Sequence, residues 1–211
     1  MARVRAYIGL GANLGDAAAT LADAVAALAA LPGVRLRGVS RLYATDPVGV
    51  VDQPEFRNAC VALEVPAGPD PATGASGLLV ALKGLERAFG RRPRERWGPR
   101  EVDLDLLVFG RHRVDVARPP EGRSDDPAKA ALPLVVPHVA ARDRLFVLAP
   151  LADLAPGLVP PGWGETVETA RRRRVVAEGP EAVRPVATWT GHGWLPLEGR
   201  PVAAAARDPS T

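Results

Sequence analysis

The chain has a single cysteine, Cys60, and this scarcity excludes a disulfide within the chain. Its neighbours Ala59 and Val61 are apolar, so we expect a thiol buried in a strand. No apolar run approaches the ~18 residues that a membrane-spanning helix needs. The first residues also lack the apolar stretch of a signal peptide. These absences favour a reducing, cytoplasmic setting and predict no contact with a membrane.

Lysine is nearly absent as well. Lys83 and Lys129 are the only two, so arginine supplies the other 25 of the 27 basic residues. An arginine-rich chain can bind nucleic acid. Here 24 acidic residues accompany the basic ones, and the net charge is only +3. This balance argues against a general polyanion binder, so we expect no binding of nucleic acid. We also expect a monomer whose partners are small molecules.

The length of 211 residues and a hydrophobic content of 47% suffice for one domain with a sizeable core. Residues 1–160 carry the periodic patterns and form the predicted domain. Within them, residues 111–131 are rich in arginine, proline, aspartate and glycine, which predicts a solvated insertion. Residues 161–211 are predicted to be a loosely attached C-terminal extension.

The pattern of elements predicts an α+β fold of the ferredoxin-like type, with helices on one face of an antiparallel sheet. Asp16 is a suitable N-cap for the alanine-rich helix that follows the first strand, and Pro32 and Gly33 end that helix. Order resumes at 134–138 after the insertion. The predicted elements are strands at 4–10, 34–43, 58–65 and 102–109, and helices at 17–30, 77–90 and 143–153.

The most informative segment is 96–105, where an arginine-rich loop meets two carboxylates at the start of an apolar strand. Alternate side chains of a strand share a face, so Asp103 and Asp105 point the same way, about 6 to 7 Å apart along the backbone. Two such carboxylates can bind Mg²⁺, which takes one or two carboxylate ligands together with phosphate oxygens and water. The segment therefore predicts a site for metal-bound phosphates.

Two other interpretations start from the same residues. The aspartates alone could be a pair at a sheet edge that neighbouring arginines neutralise. Trp97, the Gly-Pro pair and Arg100 beside them favour a site instead. The glycines at 9, 11 and 15 suggest a dinucleotide fold, but their spacing differs from GxGxxG and no acidic residue follows about 20 positions later. We interpret them as a tight turn from strand to helix.

Four separated motifs resemble the 6-hydroxymethyl-7,8-dihydropterin pyrophosphokinase family of folate biosynthesis. The resemblance covers about residues 4 to 160. That family transfers the pyrophosphoryl group of ATP to the hydroxymethyl group of the pterin and releases AMP. The motifs are YIGLGANLGD at 7–16, DQPEFRN at 52–58, RWGPR at 96–100 with DLD at 103–105, and VPH at 136–138 with RLFVLAPL at 144–151.

The resemblance implies a catalytic set around the phosphates. Asp103 and Asp105 would hold two Mg²⁺ ions, with ATP as co-substrate. Arg91 and Arg100 would contact phosphate oxygens. Trp97 would help a mobile loop, 90–100, to close over the substrates and exclude water.

The resemblance also implies a pterin pocket. A flat heteroaromatic ring needs two π surfaces and groups that satisfy its donor and acceptor edges. Phe56 and Phe146 match the stacking positions, and Asn58 matches the residue that reads the pterin edge. Trp97 belongs to the same pocket. Main-chain groups around Thr45, Pro47 and Val48 would complete the edge contacts.

For the nucleotide, the resemblance implies contacts from Glu86, His138 and Arg144 in addition to Arg91 and Arg100. His138 could equally be an exposed turn residue. The chain departs from the family at four positions: Lys83 stands where glutamine is usual, Val139 stands where some members have tyrosine, and Pro133 and Val135 replace polar residues that some members use around ATP. The adenine and ribose contacts are therefore less defined than the phosphate contacts.

Two alternatives to an active pyrophosphokinase remain open at this point. Ferredoxin-like sheets also bind RNA, but the strands here lack the exposed aromatic pairs that stack bases, and RNA binding does not require two neighbouring aspartates. A family member without activity would bind ATP or pterin and form no product. Lys83 and Val139 motivate that second alternative.

Overall fold

In a computed structural model, the chain folds into an antiparallel sheet with helices on both faces. The structure describes residues 2–47, 52–90, 98–123 and 131–198. The α+β class predicted from the sequence is confirmed. Within the described ranges the sheet runs β5-β1-β4-β3-β8-β9, and β2 also pairs with β4. The strands are β1 (Arg3–Ala12), β2 (Arg35–Val39), β3 (Leu42–Thr45), β4 (Phe56–Pro66), β5 (Asp103–Phe109), β6 (Val114–Val116), β7 (Leu134–Val136), β8 (Val183–Trp189) and β9 (Trp194–Pro196); the helices are α1 (Ala17–Ala30), α2 (Pro71–Ala88), α3 (Leu145–Leu154) and α4 (Val167–Glu178).

The sheet has a core on each face, because both sides of its central strands carry apolar residues. Ile8 and Leu10 of β1 pack with α1 and α2 on one face. Cys60 of β4 packs with Leu148 of α3 and Val167 of α4 on the other. The expectation that the helices lie on one face is therefore wrong. The second helical layer comes largely from residues after 144.

Both long helices begin at an aspartate whose carboxylate accepts a backbone N–H of the first turn. Asp16 accepts from the N–H of Ala19 at 3.0 Å, which confirms the predicted cap. Asp70 accepts from the N–H of Thr73 at 2.9 Å, and Pro71 occupies the first turn. The second helix thus begins six residues before the predicted start at 77. Among the described residues, no helix combines the length and apolar character that would cross a membrane.

The strand predicted at 34–43 is divided at Ser40 into β2 and β3, both of which pair with β4. Ser40 is buried, and its hydroxyl accepts the backbone N–H of Cys60 at 2.9 Å. In the hydrogen-bond ladder with β4, the Ser40 side chain thereby accepts the bond that a backbone carbonyl would otherwise accept. The division follows from this replacement.

The predicted insertion and extension both contain ordered elements. Within 111–131, β6 pairs with β7, which follows the insertion, and a 3₁₀ turn covers Pro120–Gly122. Within 161–198, α4 packs on α3, and β8 pairs with β3 in the main sheet. The expectation of a loosely attached extension is therefore wrong for 161–198. Backbone pairing with β3 supplies the order that composition does not indicate.

Cys60 is expected to be unreactive in the native protein. The thiol is fully buried, and this burial, assisted by the nearby charge of Asp153, raises the pKa of Cys60 well above its ordinary value. Because the thiolate is the reactive form, we expect modification by a disulfide reagent at pH 8 to be at least about a hundredfold slower than for a free thiol. Urea should release one equivalent of reactive thiol. Rapid reaction without urea would contradict this burial.

Candidate active site

The strand register places the acidic pair and the predicted pterin residue Asn58 on one face of the sheet. Gly11 of β1 lies opposite Asp103 of β5 and opposite Asn58 of β4. Directly opposed residues of antiparallel strands point to the same face. Asp105 lies opposite Gly9 in the next row of that face. Asp103 and Asn58 are thus two strands apart, about 10 Å at the usual strand spacing.

Gly11 lies between Asp103 and Asn58 in the sheet and places no side chain between them. A Cβ atom added there would lie 3.3 Å from the amide oxygen of Asn58, which is tighter than ordinary contact. A larger side chain would therefore displace Asn58 or fill the space between it and Asp103. Gly9 and Gly11 lie within β1, so the predicted turn contains only Gly15, and Gly11 keeps this face of the sheet open.

Asp103 and Asp105 alternate with core residues as the sequence predicts. Both aspartates are half-buried, whereas Leu104 and Leu106 are buried on the opposite face. Arg100 donates from Nη1 to the carboxylate of Asp103 at 2.7 Å. One predicted phosphate ligand is thus already aligned with the acidic pair.

Glu86 fixes the backbone between the two aspartates. Its buried carboxylate accepts the backbone N–H of Leu104 at 2.7 Å. The same oxygen, Oε1, accepts from the Nζ of Lys83, also at 2.7 Å. Lys83, where the resemblance implies glutamine, is therefore the buried partner of Glu86. This arrangement gives Glu86 a positioning contact with β5.

Asn13 is a candidate site residue that the sequence patterns did not single out. Its side chain is buried, and its amide oxygen accepts the backbone N–H of Arg100 at 2.7 Å. Its amide nitrogen donates to the side chain of Gln53 and the carbonyl of Pro54, both at 3.0 Å. One amide therefore joins the backbone at Arg100 to the segment that leads into Phe56. The only available signal was its place in the motif at 7–16.

The predicted pterin residues collect at the adjoining end of β3 and β4. Asn58 donates from its amide nitrogen to the hydroxyl of Thr45 at 2.6 Å, and both side chains are buried. Phe56 is half-buried at the start of β4, where it pairs with Thr45. Pro47 is half-buried two residues beyond Thr45. The bond from Asn58 fixes which of its groups remain oriented toward a ligand.

Phe146 begins α3 on the same face. It packs against a cluster of Tyr43, Leu145, Ala149 and Val183, and Tyr43 lies opposite Asn58 in the sheet. The guanidinium carbon of Arg144 lies 5.7 Å from the centre of the Phe146 ring, a cation–π distance. The start of α3 therefore brings a predicted phosphate ligand and a predicted stacking ring together.

His138 lies beside the strand that carries the aspartates. Its backbone N–H donates to the carbonyl of Leu107 at 2.9 Å. Its Nδ1 accepts the N–H of Ala140 at 3.3 Å, which places the proton of a neutral ring on Nε2. Val139 is 70% exposed beside it. The ring is thus held by its own turn close to β5.

Three predicted site residues lie outside the described part of the chain: Val48, Arg91 and Trp97. The predicted loop closure over 90–100 depends on the same part. Their roles stay predictions. The strand register and contacts place Thr45, Phe56, Asn58, Asp103, Asp105 and Phe146 on this face. Pro47, Arg100, His138 and Arg144 adjoin these residues. Glu86 belongs to α2, which packs on the opposite face, and it contacts the backbone of β5 from there.

The acidic pair fits Mg²⁺ in its donor chemistry. No group of three or more His, Cys, Asp or Glu side chains in the described ranges could hold a metal ion. A site of that kind would suit zinc or calcium. Mg²⁺ instead is commonly held by one or two carboxylates, with substrate phosphates and water as its other ligands. Asp103 and Asp105 supply such a pair, both half-buried on one face.

Comparison with known proteins gives a family for this chain. The model of the family described as "7,8-dihydro-6-hydroxymethylpterin-pyrophosphokinase (HPPK)" matches residues 7–156. The 2-amino-4-hydroxy-6-hydroxymethyldihydropteridine pyrophosphokinase of Methylorubrum extorquens is 43% identical over 166 residues, which are 79% of this chain and 90% of that protein. The protein of the same name from Bacillus subtilis is 38% identical over 149 residues, 71% of this chain and 77% of that protein.

Solved structures have the same fold. A crystal structure of "HPPK-DHPS in complex with substrates" aligns with a TM-score of 0.69 at 11% identity, over 95% of this chain and 50% of that one. An HPPK-DHPS triple mutant of Plasmodium falciparum aligns with a TM-score of 0.70 at 14% identity, over 94% of this chain and 49% of that one. The chain thus spans about half of each of those longer chains. At these identities the likeness concerns the fold alone, whereas the family model and the curated relatives establish that this chain belongs to the 7,8-dihydro-6-hydroxymethylpterin-pyrophosphokinase family.

Proposed function

We propose that the face of the sheet carrying Asp103, Asp105 and Asn58 is where this chain carries out the reaction of its family. As a member, the chain is an ATP-dependent transferase of folate biosynthesis. It transfers the pyrophosphoryl group of ATP to 6-hydroxymethyl-7,8-dihydropterin and yields AMP. The observation that supports the placement is the register that aligns Asp103, Gly11 and Asn58 in one row.

The reaction requires positioning and charge stabilisation more than covalent chemistry. The pterin alcohol attacks the β-phosphorus of ATP, and AMP is the leaving group. Arg100 carries a positive charge beside Asp103, where it can donate to phosphate oxygens. Arg144, at the start of α3, offers a second guanidinium on the same face. Together these groups stabilise the negative charge that accumulates during transfer.

Asp103 and Asp105 are the proposed ligands of two Mg²⁺ ions. Bound there, the ions would supply Lewis-acid neutralisation of the triphosphate. Glu86 supports this role from behind, because its bond to the N–H of Leu104 fixes the strand between the two carboxylates. Both side chains are half-buried on the face proposed to hold the ions, while the intervening leucine anchors the strand in the core.

On the pterin side, Asn58 is the proposed edge-reading residue. Its bond to Thr45 orients the amide, so the ring meets a preset pattern of donors and acceptors. Phe56 and Phe146 are the proposed stacking surfaces, and main-chain groups at Thr45 and Pro47 complete the edge. Both rings are half-buried, as a stacking surface in a cleft should be.

Release of AMP that depends on pterin tests the proposal. The purified chain with Mg²⁺, ATP and hydroxymethyldihydropterin should form AMP and pterin pyrophosphate in equal amounts. Omission of pterin or addition of a chelator should abolish both products, because the acceptor or the metal is then missing. ATP or pterin binding without product would instead identify a member without activity. Restoration by Mg²⁺ after chelation is the control.

The remaining expectations concern setting and assembly. We propose a cytoplasmic monomer that binds small molecules and neither nucleic acid nor membrane. ATP and pterin as substrates support small-molecule partners. Sedimentation of the active protein would test the monomer, and a second copy required for turnover would contradict it.

A further inference from the structure

Arg184 of β8 joins the two ends of the connection between β3 and β4. Its Nη2 donates to the carboxylate of Glu55 at 2.5 Å and to that of Asp46 at 3.3 Å. Its Nη1 donates to the carbonyl of Glu181 at 2.9 Å, so the guanidinium is also held by the segment that leads into β8. Arg184 lies opposite Ala44 of β3 in the sheet. One side chain therefore connects three separate pieces of the chain.

The two acidic partners of Arg184 are the immediate neighbours of proposed pterin residues. Asp46 stands between Thr45 and Pro47, and Glu55 directly precedes Phe56. Thr45 and Phe56 are opposite each other where β3 and β4 end. The ion pairs thus lie at the same end of β3 and β4 as the proposed pterin residues. The row of Arg184, Ala44 and Arg57 faces the other side of the sheet, so the pairs support Thr45 and Phe56 from behind.

Glu55 is also held from its other side. Its second oxygen, Oε2, accepts from Nη1 of Arg57 at 3.0 Å. Arg57 is 1% exposed, so this guanidinium is fixed by the core. Glu55 is therefore held between a buried arginine of β4 and Arg184 of β8. A carboxylate with charge-assisted bonds on both oxygens has little freedom to move.

We infer that Arg184 is a positioning residue for the pterin substrate. It acts through Asp46 and Glu55, which set the relative position of the edge contacts at Thr45 and the ring of Phe56. The family model ends at 156, so Arg184 lies beyond the part of the chain that the model matches. The inference rests on the proposed function, because it concerns the same pocket.

The expected effect is on pterin affinity and is moderate. Arg184, Glu55 and Asp46 are 24%, 38% and 72% exposed as side chains, so solvent weakens the pairs. For Arg184→Met we expect the KM for pterin to rise about fivefold, while kcat and the KM for ATP change less than about twofold. Arg184→Lys should recover part of the affinity, because it keeps the charge and loses the planar fork.

The matched control is Arg37→Met. Arg37 likewise binds a glutamate through its guanidinium, but that residue, Glu64, lies near the end of β4 that is far from Glu55. We expect this variant to keep the wild-type KM for pterin. A fivefold rise in both variants would overturn the inference, since it would reflect a general loss of arginine pairs.

A double variant tests whether Arg184 acts through Glu55. Glu55→Gln alone should raise the KM for pterin, and adding Arg184→Met should raise it little further. If the two substitutions instead raise the KM for pterin independently, the inference that Arg184 acts through Glu55 is overturned. If Arg184→Met reduces the yield of folded protein, Arg184→Gln keeps a polar side chain and provides the same comparison. An unchanged KM in the folded Arg184 variants, alongside an active wild type, contradicts this inference alone; an inactive wild type contradicts the proposed function.

Discussion

Asp105→Ala should lower the formation of AMP by on the order of a thousandfold, because it removes one of two carboxylates that hold the metal-bound phosphates. Asp103 alone would remain, and it is also bound to Arg100. The fold should be unaffected, since Asp105 is half-buried and lies on the face opposite the core that β1 and β5 form with α1 and α2. Steady-state turnover and urea unfolding measure the two expectations separately. Undiminished turnover would exclude the metal assignment.

Asp115→Ala is the matched control for this variant. Asp115 is likewise an aspartate in a strand, β6, but it is exposed and pairs across to Val135 of β7. We expect turnover within about twofold of wild type, because an exposed substitution away from the site changes little. A loss equal to that of Asp105→Ala would mean that the assay responds to any lost negative charge.

Glu86→Gln should be the most destabilising single change near the site. The pair of Glu86 and Lys83 is buried, with the two side chains 3% and 8% exposed. Gln can still accept the N–H of Leu104, but it leaves the ammonium of Lys83 buried without its anionic partner. Removing one member of a buried pair costs about 3 to 5 kcal/mol of unfolding free energy. Urea unfolding measures the loss of unfolding free energy, and a loss below about 1 kcal/mol would contradict the prediction.

The double variant Lys83→Met with Glu86→Gln separates stability from nucleotide binding. Without either charge, we expect the unfolding free energy to return to within about 1 kcal/mol of wild type. The KM for ATP can then be measured on folded protein that lacks the carboxylate. A raised KM would support the nucleotide contact implied by the family, whereas an unchanged KM would restrict Glu86 to positioning β5.

The parts of the fold that the sequence predicts correctly are those with local causes. The alternation of Asp103 and Asp105 with Leu104 and Leu106 depends only on the two-residue period of a strand. The cap at Asp16 depends on a bond to a residue three positions away. Motif resemblance then supplied the reaction, because four short segments in the right order are specific to one family.

The parts that escaped prediction depend on distant partners. Ser40 divides a strand because its hydroxyl meets Cys60, 20 residues on. Arg184 binds Glu55 across 129 residues, and only the pairing of β8 with β3 brings them together. Residues 161–198 read as loose because α4 buries few side chains, chiefly Val167 and Ala170. Composition does not indicate which strand will pair with the edge of a sheet.

Asn13 has a consequence for how the two substrates influence each other. Its amide is a rigid coupling between the backbone of Arg100 and the carbonyl of Pro54, 87 and 41 residues away along the chain. Any displacement of one segment must either carry the other along or break a buried hydrogen bond. A nucleotide that restrains Arg100 therefore leaves less conformational entropy to be lost when the pterin binds. By the same coupling, bound pterin lowers the entropy cost of binding the nucleotide.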